Sequence, residues 1–263
     1  MSANSIAATI DSRGVATVTL DRAEKHNAFD DALIAALADA FRRLGADSGV
    51  RAMVLAARGK SFSAGADIDW MKRMSGATEA ENIRDARALA DMLRLLNDMP
   101  KPTLALVQGA ALGGGVGLVA CCDIALAADQ AKFALSEVRL GLIPATIGPY
   151  VVAAIGERAA RRYFLTAERF GADAALALGL VHAVVPASEL AAAGEHTLVD
   201  LLVGGPKAQA EAKALVRAVA GRPIDDELID DTARRIARIR AGDEAREGLD
   251  AFLSKRKPAW ARD

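Results

Sequence analysis

Residues 103–128 read TLALVQGAALGGGVGLVACCDIALAA, and this stretch decides the fold. Its first five residues are typical of a buried strand, and after a glycine-rich turn the apolar residues of 116–121 indicate a helix. A membrane-spanning helix needs about 20 apolar residues in a row, whereas this stretch is interrupted by Gln108, by several glycines and by Asp123. The stretch therefore predicts a buried part of a soluble fold.

The segments before this stretch alternate between strand and helix patterns. Residues 15–20 and 52–57 predict strands. Asp30 precedes a run with helical spacing, and Thr78 with Glu81 forms the capping-box signature of a second helix. Strand, helix, strand, helix, strand in this order predicts an α/β fold with parallel strands joined by right-handed crossovers.

The last part of the chain carries helical patterns alone. Pro206 and Asp225 begin helical runs that glycines end, and Asp243 begins a last one. We therefore expect an α/β body over residues 1–195 and a helical region over residues 196–263.

Composition excludes several classes of protein. The 263 residues hold 33 Lys and Arg against 34 Asp and Glu, a formal net charge of −1. A nucleic-acid binder or a polybasic membrane-surface protein needs a positive footprint, so neither partner is expected. The two adjacent cysteines, Cys121 and Cys122, form neither a disulfide framework nor a metal site by themselves. The cysteine usage indicates a reducing compartment and no targeting segment is visible, so we expect a cytoplasmic protein. We expect no metal.

Two loops of small residues are candidates for binding negative charge. In residues 108–117 glycines follow a strand and begin a helix, where free backbone amides and the helix dipole favour an anion. Close packing of glycines between helix and sheet explains the same pattern. Residues 61–69 form a second such loop after a strand. If both loops end neighbouring strands, they offer two N–H donors to one oxygen, which is how a carbonyl is polarised.

Several segments resemble one known family in order and spacing. The resemblance runs from LDRAEKHNAF (residues 20–29) to the C-terminus, and the segments that carry it are FSAGAD (62–67), GAALGGGVGL (109–118), CDIALAA (122–128), LSEVRLGLIP (135–144) and FLSKRKP (252–258). The chain is identified by them as similar to the enoyl-CoA hydratase/isomerase (crotonase) superfamily. Residues 113–125, 136–156 and 160–168 look most like bacterial methylglutaconyl-CoA or carboxygeranoyl-CoA hydratases.

This resemblance implies a fold and an oxyanion hole. The fold is a spiral of ββα units followed by a helical region that mediates trimers, often dimers of trimers. A thioester carbonyl would be held by two backbone N–H groups, which fall here on Ala66, after Gly65, and on Gly114, the middle glycine of the triplet. Such a hole is needed because the enolate oxygen carries the charge in the transition state.

The chain departs from the family at one of two catalytic carboxylates. Family hydratases place glutamates at the positions of Gly117 and Glu137, which lie 20 positions apart here. Glu137 alone remains, in an apolar setting that we expect to raise its pKa. We predict that Glu137 is the general acid/base and passes the proton of water to C2 on the same face.

The resemblance also implies contacts to coenzyme A. Lys25 stands where relatives contact the CoA phosphates, and Lys255 matches a residue that reaches the nucleotide of a neighbouring subunit, although both are equally typical of solvated lysines. Backbone carbonyls of Ala66, Asp67 and Ile68 would contact the adenine. The side chain of Asp67 is expected to be structural. Gly117 would line the acyl site.

The sequence leaves three functions open. The first is an enoyl-CoA hydratase that acts on the C2=C3 bond, with branched or carboxylated acyl groups among its candidate substrates and no cofactor beyond the CoA of the substrate itself. The second is an enoyl-CoA isomerase that uses Glu137 alone. The third is a non-catalytic acyl-CoA-binding member of the superfamily.

Overall fold

The computed structural model describes residues 5–261. Its strands are β1 (Ile6–Ile10), β2 (Val15–Leu20), β3 (Ala52–Ala57), β4 (Ser61–Ser63), β5 (Thr103–Val107), β6 (Ala110–Leu112), β7 (Ile124–Ala128), β8 (Lys132–Ala134), β9 (Phe170–Gly171) and β10 (Ala183–Val185).

The helices separate and follow these strands. They are α1 (Asp31–Ala46), α2 (Ile68–Ser75), α3 (Glu79–Asn97), α4 (Gly114–Cys121), α5 (Gly148–Thr166), α6 (Ala172–Ala177), α7 (Leu190–Val203), α8 (Pro206–Val219), α9 (Asp226–Arg240) and α10 (Asp243–Leu253). Over residues 5–261, none of them combines the length and the apolarity that crossing a bilayer requires.

The strands form two sheets, and from β3 to β8 consecutive strands alternate between them. One sheet has the order β1-β2-β3-β5-β7-β10 and is parallel except for the β1–β2 pair. The other has the order β4-β6-β8-β9 and is parallel except for the β8–β9 pair. Each of β3–β4, β5–β6 and β7–β8 therefore gives one strand to each sheet before a helix follows. This is the expected spiral of ββα units, and the predicted α/β fold is confirmed.

The sequence patterns locate α1, α3 and α8 to α10 together with β2, β3 and β5, but they leave out the long helices α5 and α7 and the short strands. Strands β3, β5 and β7 are nearly continuous apolar runs because parallel strands are covered on both faces. Asp30 accepts a hydrogen bond from the amide of Leu33, as its cap position predicts. The prediction of loop throughout residues 61–69 is wrong at both ends, because residues 61–63 form β4 and α2 begins at Ile68. Three residues are too few to show an alternating pattern.

The helical C-terminal region is tied back to the body. The guanidinium of Arg51, next to β3, donates to the carbonyls of Trp260 at 2.7 Å and of Gly204 at 2.8 Å. The predicted division at residues 195 and 196 falls inside α7, whose Leu190 and Leu198 pack in a core cluster with residues of the larger sheet. The division into two units stays a prediction.

Gly109 shows how closely the β5–β6 connection approaches the β3–β4 connection, which contains Lys60. A β-carbon at this position would lie 2.0 Å from the carbonyl oxygen of Lys60. Since both atoms belong to backbone that the sheets hold in place, we predict that Gly109→Ala lowers the free energy of unfolding by about 3 kcal/mol, at the upper end of overpacking costs. Urea unfolding measures this.

Gly45→Ala is the matched control for that substitution. Gly45 lies in α1, where a β-carbon would meet its nearest neighbour, the Cδ of Pro100, at an ordinary 3.7 Å. We expect this variant to gain about 0.5–1 kcal/mol, because alanine is the better helix former. A Gly109→Ala protein as stable as the parent would contradict the backbone contact.

Candidate active site

The first of the two small-residue loops in chain order lies within residues 61–69, follows β4 and is held on both sides by Phe29. The amide of Phe29 donates to the carbonyl of Gly65 at 2.7 Å, and the carbonyl of Phe29 accepts from the amide of Asp67 at 2.8 Å. These bonds form an isolated parallel bridge between Phe29 and Ala66. Within residues 5–261 no acceptor is assigned to the N–H of Ala66, which leaves that donor available to a ligand.

The second loop is the glycine turn between β6 and α4. Gly113 has φ 50° and ψ −116°, a conformation that a side chain would strain, and α4 begins at Gly114. A β-carbon at Gly114 would lie 3.0 Å from the ring of Phe29. The amide of Gly114, in the first turn of α4, likewise has no acceptor among the described residues.

The two loops lie against each other, as the sequence predicted from neighbouring strands. Strands β4 and β6 pair in parallel, so both loops leave the same edge of the smaller sheet. A β-carbon at Gly65 would lie 3.1 Å from the carbonyl oxygen of Leu112, and one at Gly113 would lie 4.0 Å from the Cα of Gly65. Ala66 and Gly114, the two residues whose amides have no acceptor among the described residues, directly follow these neighbouring glycines.

Glu137 comes to the same place from a third direction. It is the first residue of a 3₁₀ turn, Glu137–Leu140, that follows β8. Its Oε1 would be 3.0 Å from a β-carbon at Gly113, so the absence of a side chain there leaves room for the carboxyl. Its Oε2 is buried and accepts no hydrogen bond from a described residue. Burial raises the pKa of Glu137, opposed in part by its own backbone amide.

Gly117 lies under a hydrophobic side chain. A β-carbon at Gly117 would be 2.3 Å from Cγ2 and 2.9 Å from Cβ of Ile147, which is 2 % exposed. The next nearest side chain is that of Leu93, at 3.6 Å. The space that a side chain at position 117 would enter is therefore filled with hydrocarbon.

A cluster of charges lies beside the first loop. The Lys25 ammonium contacts the carboxylates of Asp67 at 3.1 Å and Asp69 at 3.5 Å. Asp67 caps α2 by accepting from the amides of Asp69 and Trp70, which is the structural role predicted for it. Burial alone would raise the pKa of Asp67, but its bonds to Lys25 and to these amides outweigh burial and lower it.

Not every predicted residue joins this group. Lys25, Ala66, Asp67, Gly114 and Glu137 line or adjoin the two loops, and Ile68 begins α2 next to them with its side chain 66 % exposed. Lys255 lies just beyond α10. Within residues 5–261 it makes no hydrogen bond or ion pair to another predicted site residue. Its contact with a neighbouring subunit stays a prediction.

The sequence reading missed the residues that hold the first loop. Arg22, Asn27 and Phe29 lie in residues 20–29, where the family resemblance begins, but no role was predicted for them. The feature that sets this segment apart is Asn27, which is buried and has a left-handed backbone conformation. Neither burial nor backbone conformation can be seen in the sequence. Over residues 5–261 no group of three His, Cys, Asp or Glu side chains has the arrangement of a metal site.

Comparison with protein families gives a match over nearly the whole chain. The family model described as enoyl-CoA hydratase/isomerase matches residues 11–263. A putative enoyl-CoA hydratase of Thermus thermophilus is 33% identical over 246 residues, which cover 94% of this chain and 97% of that protein. The enoyl-CoA hydratase ACTT6 of Alternaria alternata is 35% identical over 251 residues, 94% of this chain and 81% of that one.

Solved structures agree with these matches. An enoyl-CoA hydratase from Shewanella pealeana superposes with a TM-score of 0.95 at 45% identity, covering 97% of this chain and 96% of that one. A putative enoyl-CoA hydratase/isomerase (crotonase) from Legionella pneumophila superposes with a TM-score of 0.93, also at 45% identity, covering 98% and 100%.

The partial burial of the Glu137 carboxyl leads to a prediction about stability. Because its pKa is raised in the folded protein, its contribution to stability is complete below the ordinary pKa of glutamate and is lost as pH rises through the raised value. Glu137→Gln has no charge at this position at any pH, so we expect its free energy of unfolding to exceed that of the parent at pH 7 to 8. Each 1 kcal/mol gained should raise Tm by about 2–4 °C. The gain should vanish near pH 4.

Glu189→Gln, at an exposed glutamate before α7, controls for the loss of one negative charge. Its free energy of unfolding should change by no more than about 0.5 kcal/mol. If Glu137→Gln were less stable than the parent at pH 8, the charged carboxylate would not destabilise the folded protein, and this explanation would be wrong.

Proposed function

Because the chain belongs to the enoyl-CoA hydratase/isomerase family, we propose that it adds water across the C2=C3 bond of a 2-enoyl-CoA thioester, with Glu137 as the single acid/base. One observation carries this proposal. The Glu137 carboxyl lies against Gly113, and Gly113 lies near Gly65, so the carboxyl adjoins the two glycines that precede Gly114 and Ala66. This arrangement suits a reaction that develops negative charge on a carbonyl oxygen while a proton moves nearby.

The proposed chemistry assigns one task to each group. The amides of Ala66 and Gly114 bind the thioester oxygen and stabilise the enolate, and each such donor is worth about 10²–10³ in rate. Glu137 removes a proton from water as the oxygen forms its bond to C3. It then delivers that proton to C2 as the enolate collapses, so addition occurs on one face and the carboxylate is regenerated.

The surroundings of Gly117 support a single carboxylate. Ile147 fills the space at this position, so no second acid or base arises from it. One group must therefore be an effective base and then an effective acid. Burial raises the pKa of Glu137 above its ordinary value, which makes the carboxylate a stronger base for the first step.

The same single carboxylate also suits an isomerase. Here Glu137 would take a proton from C2 of a 3-enoyl-CoA and return it to C4, with the enolate held by the same amides. Absorbance of the conjugated thioester separates the functions. A hydratase bleaches 2-enoyl-CoA, an isomerase raises the signal from 3-enoyl-CoA, and an acyl-CoA-binding protein without activity changes neither.

The substrate class proposed is a branched or carboxylated enoyl-CoA, on the resemblance to methylglutaconyl-CoA and carboxygeranoyl-CoA hydratases. CoA would be held by Lys25 and by the backbone of Ala66, Asp67 and Ile68, and Gly117 would line the acyl site. The reaction requires no other cofactor. Relative kcat/KM values over a panel with crotonyl-CoA and carboxylated branched enoyl-CoAs test this class.

A trimer, or a dimer of trimers, is proposed as the assembly. Leu249, Phe252 and Leu253 of α10 are exposed apolar side chains that a contact between copies would bury. Lys255 follows them directly, so such a contact would also place it against the neighbouring subunit. Cytoplasmic location stays a prediction, and the buried free thiols of Cys121 and Cys122 suit a reducing compartment.

Glu137→Gln tests the role of the carboxyl. We expect kcat for hydration to fall by about 10²–10⁴, the usual worth of general acid–base catalysis, while the Kd for acyl-CoA changes only a few-fold. Stopped-flow absorbance and calorimetric titration measure the two. Glu189→Gln should keep full activity. Near-normal turnover in Glu137→Gln would exclude the assigned role.

Gly114→Pro tests the oxyanion amide. Proline removes the N–H and is well tolerated in the first turn of a helix, so the fold should survive. Gly114→Ala is the control, because its β-carbon meets the same Phe29 ring while the N–H is kept. We expect kcat of Gly114→Pro to lie about 10²–10³ below that of Gly114→Ala. Equal kcat values in two folded variants would defeat the assignment.

A further inference from the structure

A row of hydrogen bonds runs through two peptide groups to the amide of Ala66. In a trans peptide the C=O and the following N–H point in opposite directions in one plane. The carbonyl of Gly65 shares its peptide with the N–H of Ala66 and accepts from the amide of Phe29 at 2.7 Å. The bond from Phe29 therefore aims the Ala66 N–H away from the amide of Phe29.

The same relation holds one peptide further back. The amide of Phe29 shares its peptide with the carbonyl of Ala28, and that carbonyl accepts from Nη1 of Arg22 at 3.0 Å. The row thus begins at a guanidinium and ends at the free N–H of Ala66. Bonds in such a row polarise one another, and a charged donor at its start draws electron density away from its far end.

Several contacts fix the guanidinium of Arg22 next to the carbonyl of Ala28. Its side chain is 13 % exposed and also pairs with the carboxylates of Asp30 at 2.7 Å and Asp67 at 3.4 Å. Its backbone amide donates to Oδ1 of Asn27, whose Nδ2 donates to the carbonyls of Arg58 and Ser61, each at 2.9 Å. Asn27 is fully buried with φ 54° and joins this segment to β4.

We propose that Arg22 is a positioning residue for catalysis, which aims and polarises the Ala66 amide through the Ala28–Phe29 and Gly65–Ala66 peptides. This inference rests on the proposed function, because it assumes that the Ala66 amide binds the thioester oxygen. It adds a residue that touches no substrate. Loss of Arg22 then weakens the oxyanion hole without removing either of its donors.

The test compares three variants. Arg22→Met keeps the side-chain volume and removes every donor, Arg22→Lys keeps one charged donor, and Asp30→Asn removes the main ion pair of Arg22 while asparagine still caps α1. We expect kcat to fall about tenfold or more in Arg22→Met and less in Arg22→Lys. The KM should stay within about threefold, since CoA contacts are kept. Asp30→Asn should lower kcat less than Arg22→Met does, because the bond from Arg22 to the carbonyl of Ala28 is kept while the guanidinium is held less firmly.

A spectroscopic probe separates this role from a structural one. The absorbance band of an aryl-substituted 2-enoyl-CoA moves to longer wavelength when its carbonyl is polarised, and the displacement in the bound state should be smaller in Arg22→Met and partly restored in Arg22→Lys. If Arg22→Met does not fold, a band displacement in Arg22→Lys smaller than that of the parent supports the inference and an equal one overturns it.

Two results would overturn the inference. One is a folded Arg22→Met protein with the parent's kcat and band displacement. The other is a kcat loss in Arg22→Met with an unchanged band displacement, which would indicate a role elsewhere in the fold. Failure of the proposed function looks different, because the parent protein itself would then show no displacement of the band, or Glu137→Gln would turn over normally.

Discussion

The close approach of two backbone turns that carry no side chains is the constraint on which the site depends. Strands β4 and β6 end side by side, and the glycines that follow them leave Gly65 and Gly113 in contact. Any β-carbon here would strain the backbone or push the turns apart. Because main-chain groups are fixed by the sheet, their amides are aimed before a ligand arrives, and no reorganisation is needed at the moment of reaction.

Placing a carboxyl beside this constraint carries a cost to stability. Glu137 is half-buried, its Oε2 is buried without a partner among the described residues, and this loss of hydration raises its pKa. The same burial gives the carboxyl the proton affinity that an acid/base needs. Ile147 fills the space beside Gly117, so position 117 offers no second carboxylate to work with Glu137. Stability and function therefore place opposite demands on Glu137, and the proposed function explains why the costly residue is kept.

The sequence predicted the elements with local signals and missed the contacts without them. Capping residues such as Asp30 and apolar runs such as β3 act within a few positions of the chain, and the structure follows them. The contact of Ile147 with Gly117 joins residues 30 positions apart, and the row from Arg22 to Ala66 runs through main-chain atoms that every residue possesses. Neither leaves a pattern in residue types. The convergence of the two loops with Glu137 could be anticipated through the family resemblance, whereas the residues that hold the loops could not.

The crystal structure of the Glu137→Gln variant with a bound 2-enoyl-CoA tests the central claim most directly. The account predicts that the thioester oxygen lies about 2.7–3.1 Å from the amide nitrogens of both Ala66 and Gly114, with the substituted side chain at position 137 next to C2 and C3. A thioester oxygen bound elsewhere, with these two amides hydrogen-bonded to water or to other protein groups, would contradict it.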